Sequence, residues 1–161
     1  IQSPGGSRQN GEGLIVIDGA NGAQVQLATC CRPIPGDAIV GYLGRGEGLL
    51  VHTAECGVGK RLFERDPESW IGVEWAEQLA RPFETGVSLL LHNAKGGLAQ
   101  VAAAVSAAEA DITHIEMGTD ASAATAELTL VLSVRDRLQL ADVLRTLKRS
   151  SAVLRVARIK P

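Results

Sequence analysis

The stretch Cys30-Cys31-Arg32-Pro33-Ile34-Pro35-Gly36-Asp37 decides how the first half of this chain folds. Pro35-Gly36 has the composition of a type II turn centre, with proline presetting φ and glycine supplying φ > 0. Such a turn folds the two thiols back toward the downstream segment Leu49-Leu50-Val51-His52 and then Cys56. All three cysteines of the chain and one of its three histidines fall within this region. Thiolate and imidazole are the ligand types of closed tetrahedral Zn²⁺ sites. Cys30, Cys31, His52 and Cys56 are therefore a candidate structural zinc set. Adjacent residues in extended chain direct their side chains apart, and free cysteine is also an ordinary small core residue. A cluster of buried reduced thiols is the competing reading.

Upstream, residues 1–11 (IQSPGGSRQNG) carry too little apolar surface to offset ordering entropy and are expected to be disordered. Residues 14–17 and 25–27 read as short strands, separated by the turn chemistry of Asp18-Gly19 and Asn21-Gly22. Downstream, residues 39–43 and 49–52 are expected strands. The glycines at 44, 46 and 48 serve the turn between them, because a phosphate cradle needs a helix directly after it. Thr53 is the expected N-cap of a helix running to about Phe63 and ended by Pro67. Residues 70–75 read as the last strand. Residues 12–78 thus form a small, mostly antiparallel, Cys-rich α+β module. A core of that size is marginal without metal or other staples.

Residues 79–82 link this module to a second one, residues 83–161. Val87, Leu89 and Leu91 alternate as a strand, and a polar turn over 92–97 comes next. Leu98, Val101, Ala102 and Val105 recur at helical spacing. Residues 111–117 are a short strand. Ala126, Leu128, Leu130, Leu132 and Val134 give the next strand one clear core face. Asp136 caps a second helix carrying Leu138, Ala141, Leu144 and Lys148, and residues 153–159 close the module. The order is β-α-β-β-α-β, the ferredoxin-like arrangement, with both helices on one face of an antiparallel sheet. Leu90 and Val131 have the opposite parity, so partial cover of the other face by a partner or the first module is expected.

Composition narrows the function classes. Aromatics make up 3% of the 161 residues, so the cores are built from aliphatic side chains. A formal charge of −2 exerts no global pull toward nucleic acid or membrane. No apolar run is long enough to span a bilayer, and no signal peptide is visible. An odd number of cysteines, two of them adjacent, fits a reducing compartment, so the chain is expected in the cytoplasm. The absence of an initiator Met marks it as an expected fragment. No nucleophile–base pair, Walker loop or metal-hydrolase pair stands out. His92 and His114 read as strand residues rather than ligands. Lys60, Arg61 and Arg65 cluster on one expected helix, with Arg32 and Arg45 in flanking loops. They form either a solvated face or an RNA-facing patch.

The ordered string CCRPIPGDAIVGYLGRGEG (30–48), continuing to Val51-His52 and Cys56, resembles a known domain. It is the small Cys-rich domain near the carboxyl end of long RelA/SpoT-type (p)ppGpp synthetase/hydrolases, called the zinc-finger, conserved-cysteine or ribosome-intersubunit domain. The second module resembles the ACT domain that closes the same enzymes, so the resemblance covers residues 12–161. It implies a regulatory fragment without catalytic activity of its own and without an organic cofactor, acting on a catalytic half that lies elsewhere. It implies ribosome or tRNA contact through the Cys-rich domain and a homodimer through the ACT domain. Residues 92–97 and Asp136-Arg137 are closer to SpoT-like bifunctional members than to RelA-like ones.

The ACT pattern also implies a small ligand at the first β-to-α turn, here Asn93, Ala94, Lys95, Gly96, Gly97 and Leu98. Glycines there let backbone N–H groups approach a ligand, and a helix N-terminus favours a carboxylate. Lys95 adds positive charge. In the ACT pattern Asp111 faces the same pocket, where its carboxylate can receive an α-ammonium group. Leu98, Ile112 and Ile115 are aliphatic and suit a branched-chain amino acid, valine or isoleucine. The competing readings are that Gly96-Gly97 only forms the turn and Asp111 only caps a strand, or that the chain is a ribosome-docking and dimerisation module with no small-molecule ligand.

Overall fold

The computed structural model describes residues 15–18, 24–44, 48–77, 79, 82–92, 96–118 and 124–159. These carry ten strands and three α-helices in two compact units, the second running from Pro82 to Ile159.

In the first unit, β1 (Ile15–Ile17) pairs in parallel with β6 (Val73–Trp75). The other four strands form one sheet, in the order β2 (Val25–Leu27), β4 (Gly48–Thr53), β3 (Ile39–Gly44), β5 (Trp70–Ile71). The β2–β4 ladder is parallel; β3 runs antiparallel to both of its neighbours. Gly48 turns the chain between β3 and β4 with φ +74°, where only glycine is unstrained, and a Cβ there would stand 2.6 Å from the Gln24 carbonyl oxygen. Gly46 and Arg45 lie outside the described residues. Ile17, Leu49, Val51 and Val73 form the core.

Two expectations for this unit need correction. Residues 70–75 are two strands, not one. Trp70–Ile71 stays with β3, and the Gly72 carbonyl accepts from the Ile15 N–H (3.0 Å) as the chain leaves to pair with β1. The N-cap of α1 (Gly57–Arg65) is Cys56, not Thr53. Thr53 is still held in β4, opposite Ile39. The helix ends at Arg65, just before Pro67.

The second unit is built from β7 (Phe83–His92), α2 (Gly97–Ala107), β8 (Asp111–Met117), β9 (Thr125–Val134), α3 (Arg137–Arg149) and β10 (Val153–Arg158). Its sheet is ordered β10-β7-β9-β8 and is antiparallel throughout, the ferredoxin-like topology. Val87, Leu89, Leu91, Leu128, Leu130, Leu132 and Val134 are buried, as their alternation requires. Leu90 and Val131, on the opposite parity, are half-buried.

The helix faces differ from the expected ones. On α2 the buried residues are Gly97, Val101, Ala104 and Val105, while Leu98 and Ala102 face solvent. On α3 they are Gln139, Leu140, Val143 and Leu147, and Leu138 is 79% exposed. Both apolar sets have helical spacing. The choice between them was made by packing on the sheet, because every third or fourth position of an Ala/Leu-rich helix offers an apolar side chain.

Candidate functional sites

The thiols converge because the backbone around Cys30-Cys31 is curled. The Ala28 N–H donates to the Val51 carbonyl (2.8 Å), anchoring the segment to β4. The Arg32 N–H then donates back to the Ala28 carbonyl (2.9 Å), and Arg32 takes a left-handed φ of 47°. Within such a turn, consecutive side chains need not diverge as they do in a strand. The type II turn then locks the segment from Ile34 to Asp37. Gly36 has φ 101°, the Asp37 N–H donates to the Ile34 carbonyl (3.0 Å), and Asp37 Oδ2 accepts from the Ile34 N–H (2.8 Å).

His52 arrives from β4 and Cys56 from the start of α1. Cys30 Sγ is 3.5 Å from His52 Nδ1 and 3.7 Å from Cys56 Sγ, and Cys31 Sγ is 3.9 Å from His52 Nδ1. All four donor atoms lie within 4.8 Å of one another. Ligands at zinc–sulfur and zinc–nitrogen bond lengths on a tetrahedron stand about 3.5–3.8 Å apart, so this donor set fits Zn²⁺ in chemistry and in spacing. Two backbone donors complete the surroundings. The Thr53 N–H donates to Cys31 Sγ (3.3 Å) and the Gly59 N–H to Cys56 Sγ (3.4 Å). Hydrogen bonds of this kind stabilise a thiolate.

Burial governs protonation here. The Cys30 thiol is pushed up to about 12, by burial first and then by Cys56 and Cys31. Burial also raises Cys31, and it lowers His52 below its ordinary 6.5. Near neutral pH Cys30 and Cys31 hold their protons and the His52 imidazole is uncharged. A cation taken up among them would displace thiol protons. The far ring nitrogen, His52 Nε2, is buried without a hydrogen-bond partner, as is Trp70 Nε1; the two rings lie 5.9 Å apart.

In the second unit, Asn93, Ala94 and Lys95 lie outside the described residues. Gly96 occupies the N-cap of α2 with φ 86°, and a Cβ on it would meet nothing within 4 Å. Gly97 is buried. Cys56 caps α1 and Asp136 caps α3 through their side chains, but Gly96 leaves α2 without a side-chain cap. Leu98 is 40% exposed beside this helix start.

Asp111 and Ile112 are not near that turn within one copy. Ser133 of β9 pairs with both Asp111 and Glu84, whereas Thr125 pairs with His92. Asp111 therefore sits at the end of the sheet where β7 begins, about 26 Å of strand from the turn after His92. The reason is topological: α2 carries the chain back along the sheet before β8 starts. Ile115 lies between, 40% exposed on the outer strand.

Sequence reasoning did not single out Trp70, around which the rings of Tyr42, His52 and Phe63 group. The scarcity of aromatics was the available signal. The N–H donors of Thr53 and Gly59 leave no trace in residue type.

Among the described residues no helix is long and apolar enough to cross a membrane. The family model for the RelA/SpoT RIS domain matches residues 15–76, and one for the ACT domain matches residues 79–158. The bifunctional (p)ppGpp synthase/hydrolase SpoT of Escherichia coli (strain K12) is 32% identical over 146 residues, 91% of this chain and 20% of that protein. A GTP pyrophosphokinase of Haemophilus influenzae is 25% identical over 151 residues, 94% of this chain and 20% of that protein. The chain thus spans about a fifth of the length of these relatives. The crystal structure of the ACT domain from a GTP pyrophosphokinase of Chlorobium tepidum aligns with 48% of this chain and 99% of its own, at 18% identity and a TM-score of 0.43. With its RIS domain followed by an ACT domain, the chain belongs to the RelA/SpoT family and is homologous to the carboxyl-terminal region of SpoT.

Proposed function

We propose that this chain is the amino-acid-sensing regulatory region of a (p)ppGpp synthetase/hydrolase, and that its ACT domain binds valine or isoleucine. The observation that carries this reading is the uncapped start of α2. Gly96 holds a left-handed φ with open space at its Cβ position, so the first N–H groups of the helix are accessible to an α-carboxylate. Lys95 supplies charge of the right sign.

The ammonium partner comes from a second copy. β8 is an outer strand exposed along nearly its whole length, with Ile115 and Met117 at 40% and 48%. Such an edge invites pairing. Antiparallel pairing of two β8 edges about a two-fold axis sets the start of one strand beside the end of the other. Asp111 and Ile112 of one copy then approach the end of the sheet at which α2 of the other begins. Binding signals amino-acid sufficiency and shifts the catalytic half toward (p)ppGpp hydrolysis. Calorimetry with all twenty amino acids tests the reading: valine and isoleucine bind, glutamate does not. Absence of binding at millimolar concentrations removes the sensing role.

In the first unit, Cys30, Cys31, His52 and Cys56 hold a structural Zn²⁺ that ties β4, α1 and the Cys30-Cys31 turn together. A second reading, docking of the ribosome or tRNA, draws on Lys60, Arg61 and Arg65 of α1, of which Lys60 and Arg61 are exposed along with Arg65 at its end. Ribosome binding that weakens steeply with salt and is lost when these three become Ala is its test.

A further inference from the structure

We propose that the first unit also holds a binding site for a small, flat, uncharged aromatic molecule, in the cavity between α1 and the β3–β5 side of its sheet. The cavity measures about 470 Å³, within the usual range of small-ligand sites. Val40, Phe63, Trp70 and Ile71 give it apolar walls. The chain has two Trp, two Phe and one Tyr; Phe63 and Trp70 line the cavity, and Tyr42 packs against Trp70. Trp70 lies 5.1 Å from Tyr42 and 6.0 Å from Phe63, centroid to centroid, with both pairs tilted. Phe63 is 52% exposed, so its ring serves the cavity wall rather than the core. Tilted rings accept a further ring by edge or offset face. Lys60 and Glu64 also line the cavity. They carry opposite charges one helical turn apart, so neither sign of ligand charge is favoured.

The cavity shares a wall with the Cys/His cluster. Thr53 and Gly59 both line it, and their N–H groups donate to Cys31 Sγ and Cys56 Sγ. A Cβ on Gly59 would stand 3.4 Å from the His52 ring. A ligand that displaces either residue shifts a hydrogen bond to a metal-binding sulfur. By linkage, Zn²⁺ must then change the ligand's affinity by the same factor. This coupling rests on the zinc reading above; the aromatic site does not.

The test is a titration of the ¹⁵N-labelled chain with indole, and with cyclohexanol as a non-aromatic comparison. Indole is expected to shift the amides of Val40, Ala54, Gly59 and Ile71 and the Trp70 indole N–H saturably, and cyclohexanol to bind about tenfold more weakly. Phe63→Ala should weaken indole binding about fivefold, and Ala54→Leu should block it, with the remaining amide spectrum unchanged in both. Shifts that do not saturate, or that map elsewhere, overturn the site. Equal affinity for cyclohexanol overturns the aromatic preference. Equal indole affinity with and without Zn²⁺, or failure of Zn²⁺ to bind, overturns the coupling and leaves the site standing.

Discussion

Cys30 Sγ and Cys56 Sγ stand 3.7 Å apart although 26 residues separate them, and His52 Nδ1 lies 3.5 Å from the first of the two. That spacing is too long for a disulfide and matches an edge of a zinc–thiolate tetrahedron. Protein purified without chelator is expected to carry one Zn²⁺ per chain by elemental analysis. Cys56→Ser and His52→Ala should each reduce this to a small fraction. Removing the metal should cost at least ~3 kcal/mol, roughly 10–20 °C in Tm for a unit of this size. A fully folded, thermally unchanged chain after exhaustive chelation would refute the structural role.

The metal-free chain should show a stability plateau bounded by two titrations. The folded state holds His52 below 6.5, so the unfolded chain takes up its proton first as pH falls. Its contribution is present above about pH 6.5 and is lost on acidification. Cys30 shifts the other way. Its thiol is held up to about 12 against 9.0 unfolded, so its contribution is present below pH 9 and is lost as pH rises through the interval to 12. Urea midpoints measured from pH 5 to pH 11 check both slopes, and His52→Gln should flatten the acid limb only.

A valine site shared between two copies makes a prediction that a one-copy site cannot. Gly96→Val and Asp111→Ala should each abolish binding alone. Mixed after unfolding and refolding, they should recover about a quarter of the sites. Half of the pairs are then hybrids, and each hybrid holds one intact turn facing one intact Asp111. Calorimetric stoichiometry of the mixture decides the matter; no recovery means that Asp111 serves its own copy or none.

Gln139 is 3% exposed and knots together the ends of α2 and α3. Its Nε2 donates to the carbonyls of Ala108 (3.2 Å) and Glu109 (2.8 Å), and its Oε1 accepts from the Arg135 N–H (2.7 Å). Gln139→Leu keeps the volume but removes every one of these bonds. It should destabilise the second unit by about 2–3 kcal/mol. Amide exchange at α2 and β8 should accelerate accordingly, with the first unit unchanged.

Gly48→Ala should be the more damaging of two glycine substitutions in the first unit. Its Cβ would meet a backbone oxygen at 2.6 Å, and its φ of +74° is strained for alanine. Gly59→Ala meets only the His52 ring, at 3.4 Å. The expected losses are about 3 kcal/mol and under ~1 kcal/mol respectively, readable from urea unfolding. The opposite order would mean that the Gly48 turn can rearrange.

Residue type and period alone determined much of this protein. The alternation through Leu128, Leu130, Leu132 and Val134 fixes a strand with one core face wherever it packs, because side chains alternate with period two. Pro35-Gly36 specifies its turn through two backbone preferences that need no neighbours, and Gly36 indeed has φ 101°. The helix faces were not decided there. In a helix rich in Ala and Leu several stripes are apolar, and only contact with the sheet turned Leu140 inward and left Leu138 in solvent. The convergence of the thiols likewise needed the Arg32-to-Ala28 hydrogen bond, which curls two adjacent cysteines into one site against the strand rule. The separation of Asp111 from Gly96 is a property of strand pairing. Neither residue type nor spacing along the chain says at which end of a sheet a strand begins; the ladder of β8 on β9 decides it.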